Sequence, residues 1–316
     1  MIVTLTAHPS LDRTVTLAAP LRVGEVQGAR SLREDAGGKG INVAGVLAGA
    51  GRAVVSVLPL DDADPFATVL RTTGLAVRPV RVRGNVRANL AIVDSDGVTT
   101  KLNLPGVALG AVELDRLVDE TVAAVEDADW LVIAGSLPPG APSDFYVTVI
   151  EAVREQWGDA APLIAVDTSG PALHAVVDRA RPDLIKPNDE ELAELAGVAL
   201  DPQSDLADAV HRVARELVPD RVAAAFVTLG GAGAVLVTAD GAWFGTPPPI
   251  RVRSTVGAGD SSLAGFVLAR SEGATPEECV RSGIRYGSAA ASLEGTQAPT
   301  ASDLPSGDIP VRALSL

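Results

Sequence analysis

The chain has 316 residues, with 47% apolar and only 3% aromatic side chains and a formal net charge of −14. This balance excludes disorder and argues against binding to nucleic acid or to an anionic membrane. One cysteine, Cys279, and three histidines, His8, His174 and His211, provide neither a disulfide framework nor zinc-type spacing.

No apolar run is long enough to span a bilayer. The first residues, "MIVTLTAHPS", read as a strand rather than a signal peptide, so a reducing cytoplasm is the expected compartment.

Apolar runs bounded by turn residues recur along the chain. They are "MIVTLTA", "AVVSVLPL", "WLVIAGSLP", "PLIAVDTSG", "DLIKPN" and "AAFVTLGG". Between most of them lie segments of helical period, among them "INVAGVLAGAG", "ELDRLVDETVAAVEDA", "DFYVTVIEAVREQWG" and "LADAVHRVARELV". Strands alternating with helices predict βαβ units and a mainly parallel sheet in one α/β domain over 1–316. Two stretches, about 12–35 and about 77–103, alternate apolar and polar residues instead. They predict a small antiparallel β lid, inserted in the domain, with one wet face. The tail "PTASDLPSGDIPVRALSL" is turn-rich and is expected to run over the surface.

In chain order, "PSLD" places Asp12 just past the first strand, where open α/β sheets gather active groups. By itself, an Asp there is a turn former. "GGKGINVAG" is a glycine-rich entry into a helix, with Lys39 as a movable positive charge. "VIAGSLPPG" runs a strand into a loop of small residues. In "DLIKPNDEELAEL", Asn188 and the acids after it make a conventional helix start. "FVTLGGAGAVLV" is either a bare hairpin or a close backbone approach to a ligand.

"STVGAGDSSLAGF" carries the strongest local signal. Gly257 and Gly259 permit tight backbone geometry. Leu263, Phe266 and Val267 then follow at helical spacing. Open amides at a helix start attract an anion, such as a phosphoryl group in transit. A simple cap by Asp260 is the plainer reading, but a cap does not need the glycines before it. The same helix dipole should keep Asp260 acidic. Two other phosphate signatures are absent. "GGKGIN" has Gly40 where a P-loop needs a hydroxyl, and neither "GAGDSS" nor "GKGINV" completes G-x-G-x-x-G/A.

Together "PSLD", "AGGKGINVA", "AGSLPPG", "DTSGPAL", "LIKPNDEEL", "VTLGGAGA" and "STVGAGDSSLAGF" resemble, in order and over nearly the whole chain, the ribokinase/PfkB family of sugar kinases. "RANLAIVDSDG" and "TTKLNLPG" are similar to its phosphosugar branch. The resemblance implies a ribokinase-like three-layer α/β/α fold and MgATP-dependent phosphorylation of a phosphorylated ketohexose. The foremost reaction is fructose 1-phosphate to fructose 1,6-bisphosphate; a 6-phosphofructokinase or tagatose-6-phosphate kinase is the alternative. A non-catalytic sugar-phosphate sensor and a nucleoside kinase are more remote, because Asp260 is present and because Lys39 and Arg87 would have no phosphate to pair with on a nucleoside.

On this resemblance Asp260 is the base, and Gly257, Ala258 and Gly259 form the anion hole. Asp12, Gly37, Gly38, Lys39 and Asn42 bind sugar. Arg87 and Lys39 hold the phosphate already on it, with Asn89, Asn103 and Ser136 nearby. Lys186, Asn188, Thr228, Gly230 and Gly233 serve ATP, and Gly283 and Ser288 lie where the family closes over adenine. Glu191 places Mg2+ through water. The resemblance also admits a monovalent cation beside the anion loop and a homodimer through the lid. Two departures stand out. His8 occupies a position where the branch often has Asn, and "LPLDDADPFATVL" lacks the family's usual glycines.

Overall fold

Val3 and Leu5 of strand β1 (Ile2–Leu5) face one side of the central sheet while Ile2 faces the other, and all three are fully buried. A strand wetted on neither side must be apolar on both faces, as the sequence pattern requires. The computed structural model describes residues 1–201 and 203–315. On one side of the sheet Ile2 and Val132 pack with Val43 and Leu47 of α1 (Lys39–Gly49) and with Leu263 and Phe266 of α8 (Ala258–Ser271). On the other, Val3, Leu5 and Ile133 pack with Tyr146 and Ile150 of α4 (Phe145–Trp157). The result is three layers, α/β/α.

The large sheet has 10 strands in the order β14-β13-β12-β11-β10-β9-β8-β1-β4-β5. From β5 (Ala76–Arg81) and β4 (Val54–Leu60), through β1, β8 (Trp130–Ala134), β9 (Leu163–Asp167) and β10 (Leu184–Ile185), to β11 (Ala224–Thr228), the pairing is parallel. β12 (Ala234–Thr238), β13 (Gly241–Gly245) and β14 (Val311–Ala313) close the far edge antiparallel. The strand order reverses at β1, whose neighbours β4 and β8 lead off in opposite directions. In open α/β sheets that switch point, at the carboxyl ends of the strands, is where ligands bind. Residues 6–8, 135–136 and Lys186 follow directly on such strand ends, and Asp167 closes β9.

The lid is a 4-stranded sheet in the order β3-β2-β6-β7, from β2 (Ser10–Leu17), β3 (Ala29–Gly37), β6 (Arg87–Val93) and β7 (Thr99–Leu104). It departs from expectation in two ways. Its central pair, β2 and β6, is parallel, and only the outer pairs are antiparallel. Residues 77–81, expected in the lid, form β5 at the edge of the large sheet. An edge strand half exposed to water alternates as a lid strand does, so the pattern could not separate them. The tail likewise does more than run over the surface, since it adds β14 beside β13.

The segment lacking the family's glycines anchors the lid. Buried Asp64 accepts from Phe66 N at 2.9 Å, capping α2 (Pro65–Thr72), and from Val86 N at 2.7 Å, one residue before β6. Asp64→Ala strands two buried N–H groups. It should cost about 2–4 kcal/mol and lower the melting temperature by several degrees in calorimetry. An unchanged midpoint would show that this carboxylate does not tie α2 to the lid strand β6.

Candidate active site

Strand alternation builds the lid side of the site. Residues two apart on a strand share a face. The register pairs Ser10 with Gly37 and Arg87, and Asp12 with Asp35 and Asn89; Asn89 in turn faces Asn103. One lid face therefore carries Ser10, Asp12, Gly37, Arg87, Asn89 and Asn103. Asp12 Oδ1 accepts from Ser10 Oγ at 2.8 Å and from Asn89 Nδ2 at 2.7 Å. Burial nevertheless raises its pKa above the ordinary carboxylate value. A Cβ at position 37 would lie 2.2 Å from Asp12 Oδ2, so only glycine fits there. Gly38, with φ +120°, then turns the chain into α1. Arg87 Nε donates to the His8 carbonyl at 3.2 Å, and His8 Nδ1 lies 3.2 Å from Ser136 Oγ.

Helix α8 begins on Gly257 at φ +77°, with no side-chain cap. The first-turn amides of Ala258, Gly259 and Asp260 thus lie at an uncapped, positively polarised helix end. A Cβ at Gly259 would sit 3.2 Å from Lys186 Nζ, and one at Gly257 would sit 3.9 Å from Asn42 Nδ2. The loop is lined by a lysine on one side and an amide on the other. Asn42, one turn into α1, donates from Nδ2 to Asp260 Oδ2 at 2.7 Å.

Asp260 corrects the expectation of a strongly acidic group. Burial, and next the negative charge of Asp167, push its pKa up to about 6, against the pull of Asn42, Lys39 and Lys186. The helix dipole is one favourable contribution to the charged form, and loss of solvent outweighs it here.

Asp167 was absent from the sequence-derived set and is the hub of the site. It is fully buried at the end of β9. Lys39 Nζ donates to its Oδ1 at 2.6 Å, and Lys186 Nζ lies 3.2 Å from its Oδ2. Burial opposes the Asp167 charge, but Lys186 and Lys39 outweigh it and hold the group below the usual range. Burial likewise opposes the Lys39 charge, which Asp167, with Asp260 and Glu191 behind it, holds above the ordinary value. One carboxylate thereby ties a lysine of the glycine-rich entry to a lysine beside the anion loop. The available signal was an acid closing a doubly buried strand, "LIAVD". His8 was also given no chemistry, and it lies between Arg87 and Ser136.

The remaining candidates lie in the turn and helix start after β10, at the end of β11 and in the hairpin that follows it, and on the last long helix. Asn188 caps α6 (Asp189–Ala196) by accepting from Glu191 N at 2.7 Å, and its own N–H donates to Glu191 Oε2 at 2.9 Å. The cap accounts for both residues, while Glu191 still acts on Lys39 through its charge. Thr228 bridges to Asn188, placing the β11–β12 hairpin beside this turn. Gly230 and Gly233 shape that hairpin; a Cβ at Gly233 would overlap the Gly245 carbonyl. Gly283 and Ser288 lie on the buried face of α9 (Pro276–Ala291). A Cβ at Gly283 would come within 2.6 Å of the Phe226 ring, so helix packing alone accounts for that glycine.

An uncapped helix start, a buried acid beside it and a polar lid face make up the site of an α/β phosphotransferase. Residues 9–303 match the pfkB family carbohydrate kinase, and the chain belongs to that family. It is 37% identical over 284 residues to 1-phosphofructokinase of Rhodobacter capsulatus, covering 89% of this chain and 87% of that protein. It is 33% identical over 299 residues to ATP-dependent 6-phosphofructokinase isozyme 2 of Escherichia coli K12, covering 94% of each. The crystal structure of phosphofructokinase-2 from Escherichia coli in complex with potassium superposes with a TM-score of 0.86 at 32% identity, over 96% of each chain. The chain is a sugar kinase of ribokinase-like fold. No helix among the described residues is long and apolar enough to cross a membrane.

Proposed function

We propose that this kinase transfers the γ-phosphoryl group of ATP to a hydroxyl of fructose 1-phosphate, giving fructose 1,6-bisphosphate and ADP. The observation that carries the reading is the buried Asp260 carboxylate at the uncapped start of α8, held by Asn42. Asp260 accepts the proton of the acceptor hydroxyl as its oxygen bonds to phosphorus and the bond to the β-phosphate bridging oxygen breaks. A base with a pKa near the working pH suits that task better than a strong acid does. The α8 amides and Lys186 stabilise charge on the moving group, the larger part of catalysis in a loose transition state. Asp12 and Asn89 orient the sugar, while Arg87, Ser136 and Lys39 meet its phosphate.

Asn188, Thr228, Gly230 and Gly233 border the nucleotide. Among the described residues no group of three acids, histidines or cysteines could hold a metal. That donor set fits Mg2+ held chiefly by nucleotide phosphates and water, with Glu191 reaching it through water. The Escherichia coli neighbour was solved in complex with potassium, which supports a monovalent cation for this chain. Both substrates are phosphorylated metabolites, which favours a cytoplasmic setting. Leu32, Leu102 and Leu104 are exposed on the lid face turned away from Asp12. Such a face and its open strand edges favour a homodimer through the lids, and sedimentation at micromolar concentration tests it.

A coupled ADP assay over fructose 1-phosphate, fructose 6-phosphate, tagatose 6-phosphate, fructose and ribose should give the highest kcat/KM with fructose 1-phosphate. A preference for fructose 6-phosphate would replace the substrate with that of the second relative, and silence with every phosphosugar would end the kinase reading. Arg87→Ala should raise the phosphosugar KM about 10- to 100-fold with little change in kcat, and Arg87→Lys should restore it only in part.

A further inference from the structure

His8 ends up at the junction of two groups assigned to the substrate's own phosphate. Its carbonyl accepts from Arg87 Nε at 3.2 Å, and its ring Nδ1 lies 3.2 Å from Ser136 Oγ. Its other ring nitrogen, Nε2, is closed off from solvent and has no partner among the described residues. Two strands meet here: His8 follows β1, and Ser136 follows β8, the adjacent strand in the sheet. Arg87 opens lid strand β6. A single residue thus touches both sides of the cleft floor and the lid.

Resting on the phosphosugar reading above, we propose that His8 is a positioning residue that joins Arg87 and Ser136 into one clamp for the phosphate carried by the sugar. Ser136 is exposed, and its hydroxyl would otherwise rotate freely. A bond to the imidazole fixes it. With Nε2 shut away from water, the ring has no competing hydrogen bond to turn toward. Burial, and then the neighbouring Arg87 charge, depress the His8 pKa to about 4, so the ring is neutral at neutral pH and adds no second cation to repel Arg87. A neutral ring still offers one donor and one acceptor, so it can satisfy Ser136 in either sense.

The test is a double-mutant cycle on kinetics and on calorimetric binding of fructose 1-phosphate. His8→Ala should raise the KM for the phosphosugar roughly tenfold, the worth of about one hydrogen bond, while kcat and the KM for ATP stay within about twofold. Ser136→Ala should do the same, and the double variant should be no worse than the poorer single one, because both remove the same clamp. His8→Asn, which keeps a donor and an acceptor on a shorter side chain, should recover part of the loss.

Multiplying effects in the cycle, or equal losses toward phosphosugar and ATP, would overturn the assignment. Circular dichroism of each variant separates a folding defect from a binding one. Fructose 1-phosphate binding without turnover in the wild type removes the kinase reading and leaves the cycle to be read by calorimetry. Turnover with an additive cycle removes only the role of His8. Absence of binding in the wild type removes both.

Discussion

Asp260→Asn should lower kcat by about 10²- to 10⁴-fold, shift both KM values by no more than a few fold, and melt no lower than the wild type at pH 8. The three expectations come from one fact. Asp260 is only 6% exposed, and its pKa is raised to about 6 by burial and by the Asp167 charge. Its folded value lies above that of an unfolded aspartate. Between about pH 4 and 6 the native state therefore holds more protons than the unfolded chain, and stability falls as pH rises through that window. Above the window the charge is kept at a cost of the order of 2–3 kcal/mol. Asn removes the charge and still offers an oxygen to Asn42 Nδ2, so the local geometry survives while the base is lost.

The same shift predicts an acid limb in the wild-type kcat/KM profile near pH 6, with activity falling below it. Calorimetry at pH 8 and pH 5, beside the coupled assay, checks all of this. A variant that melts well below the wild type at pH 8 would mean that the buried charge is compensated rather than tolerated. Proteins carry such local penalties at functional sites because the neutral alternative does no chemistry.

The distance between sequence and structure follows from what a local pattern can hold. The βαβ rhythm was legible because strands buried on both faces read as near-continuous apolar runs, as β1, β8 and β9 do. Arg87 and Asn89 were legible only through the family resemblance, and the register of β2 and β6 aligns them with Ser10 and Asp12 on one lid face. β5 was not legible as part of the large sheet, because its mixed run of Val and Arg, exposed at most positions, reads like a lid strand. The acidity of Asp260 was misjudged for a different reason. The helix dipole is encoded within a few residues of it, whereas burial and the Asp167 charge arrive from strands and helices distant in the chain. Asp167 was passed over because a single acid after an apolar run looks like a turn former until two lysines from other elements converge on it.

Asp167→Asn is the change with the largest expected effect on the whole molecule. In the wild type one fully buried carboxylate faces Lys39 Nζ at 2.6 Å and Lys186 Nζ at 3.2 Å, and Lys186 itself is only 4% exposed. Removing the negative charge leaves two ammonium groups facing one another across a neutral amide. Losing one partner of a buried ionic cluster typically costs about 3–5 kcal/mol. The sign with pH is opposite to that of Asp260. The folded value of Asp167 is depressed, so its contribution is complete above the unfolded carboxylate value and is lost as pH falls through the folded one. The gap in melting temperature between wild type and variant should therefore be widest near neutrality and shrink toward pH 3.

A second readout separates this electrostatic role from simple loss of structure. The Asp167 charge helps to raise Asp260, while Lys39 and Lys186 pull it down. In Asp167→Asn burial still raises the Asp260 pKa, but the raising charge is gone and the two lysines keep their pull, so the acid limb of kcat/KM should move to lower pH even as kcat falls. An acid limb that stays in place, or moves upward, would break the link between the two carboxylates. The arrangement gives the triad a use beyond its own stability. In the proposed roles Lys39 serves the acceptor side and Lys186 the donor side, and a carboxylate fixed at the end of β9 would hold both in register with Asp260.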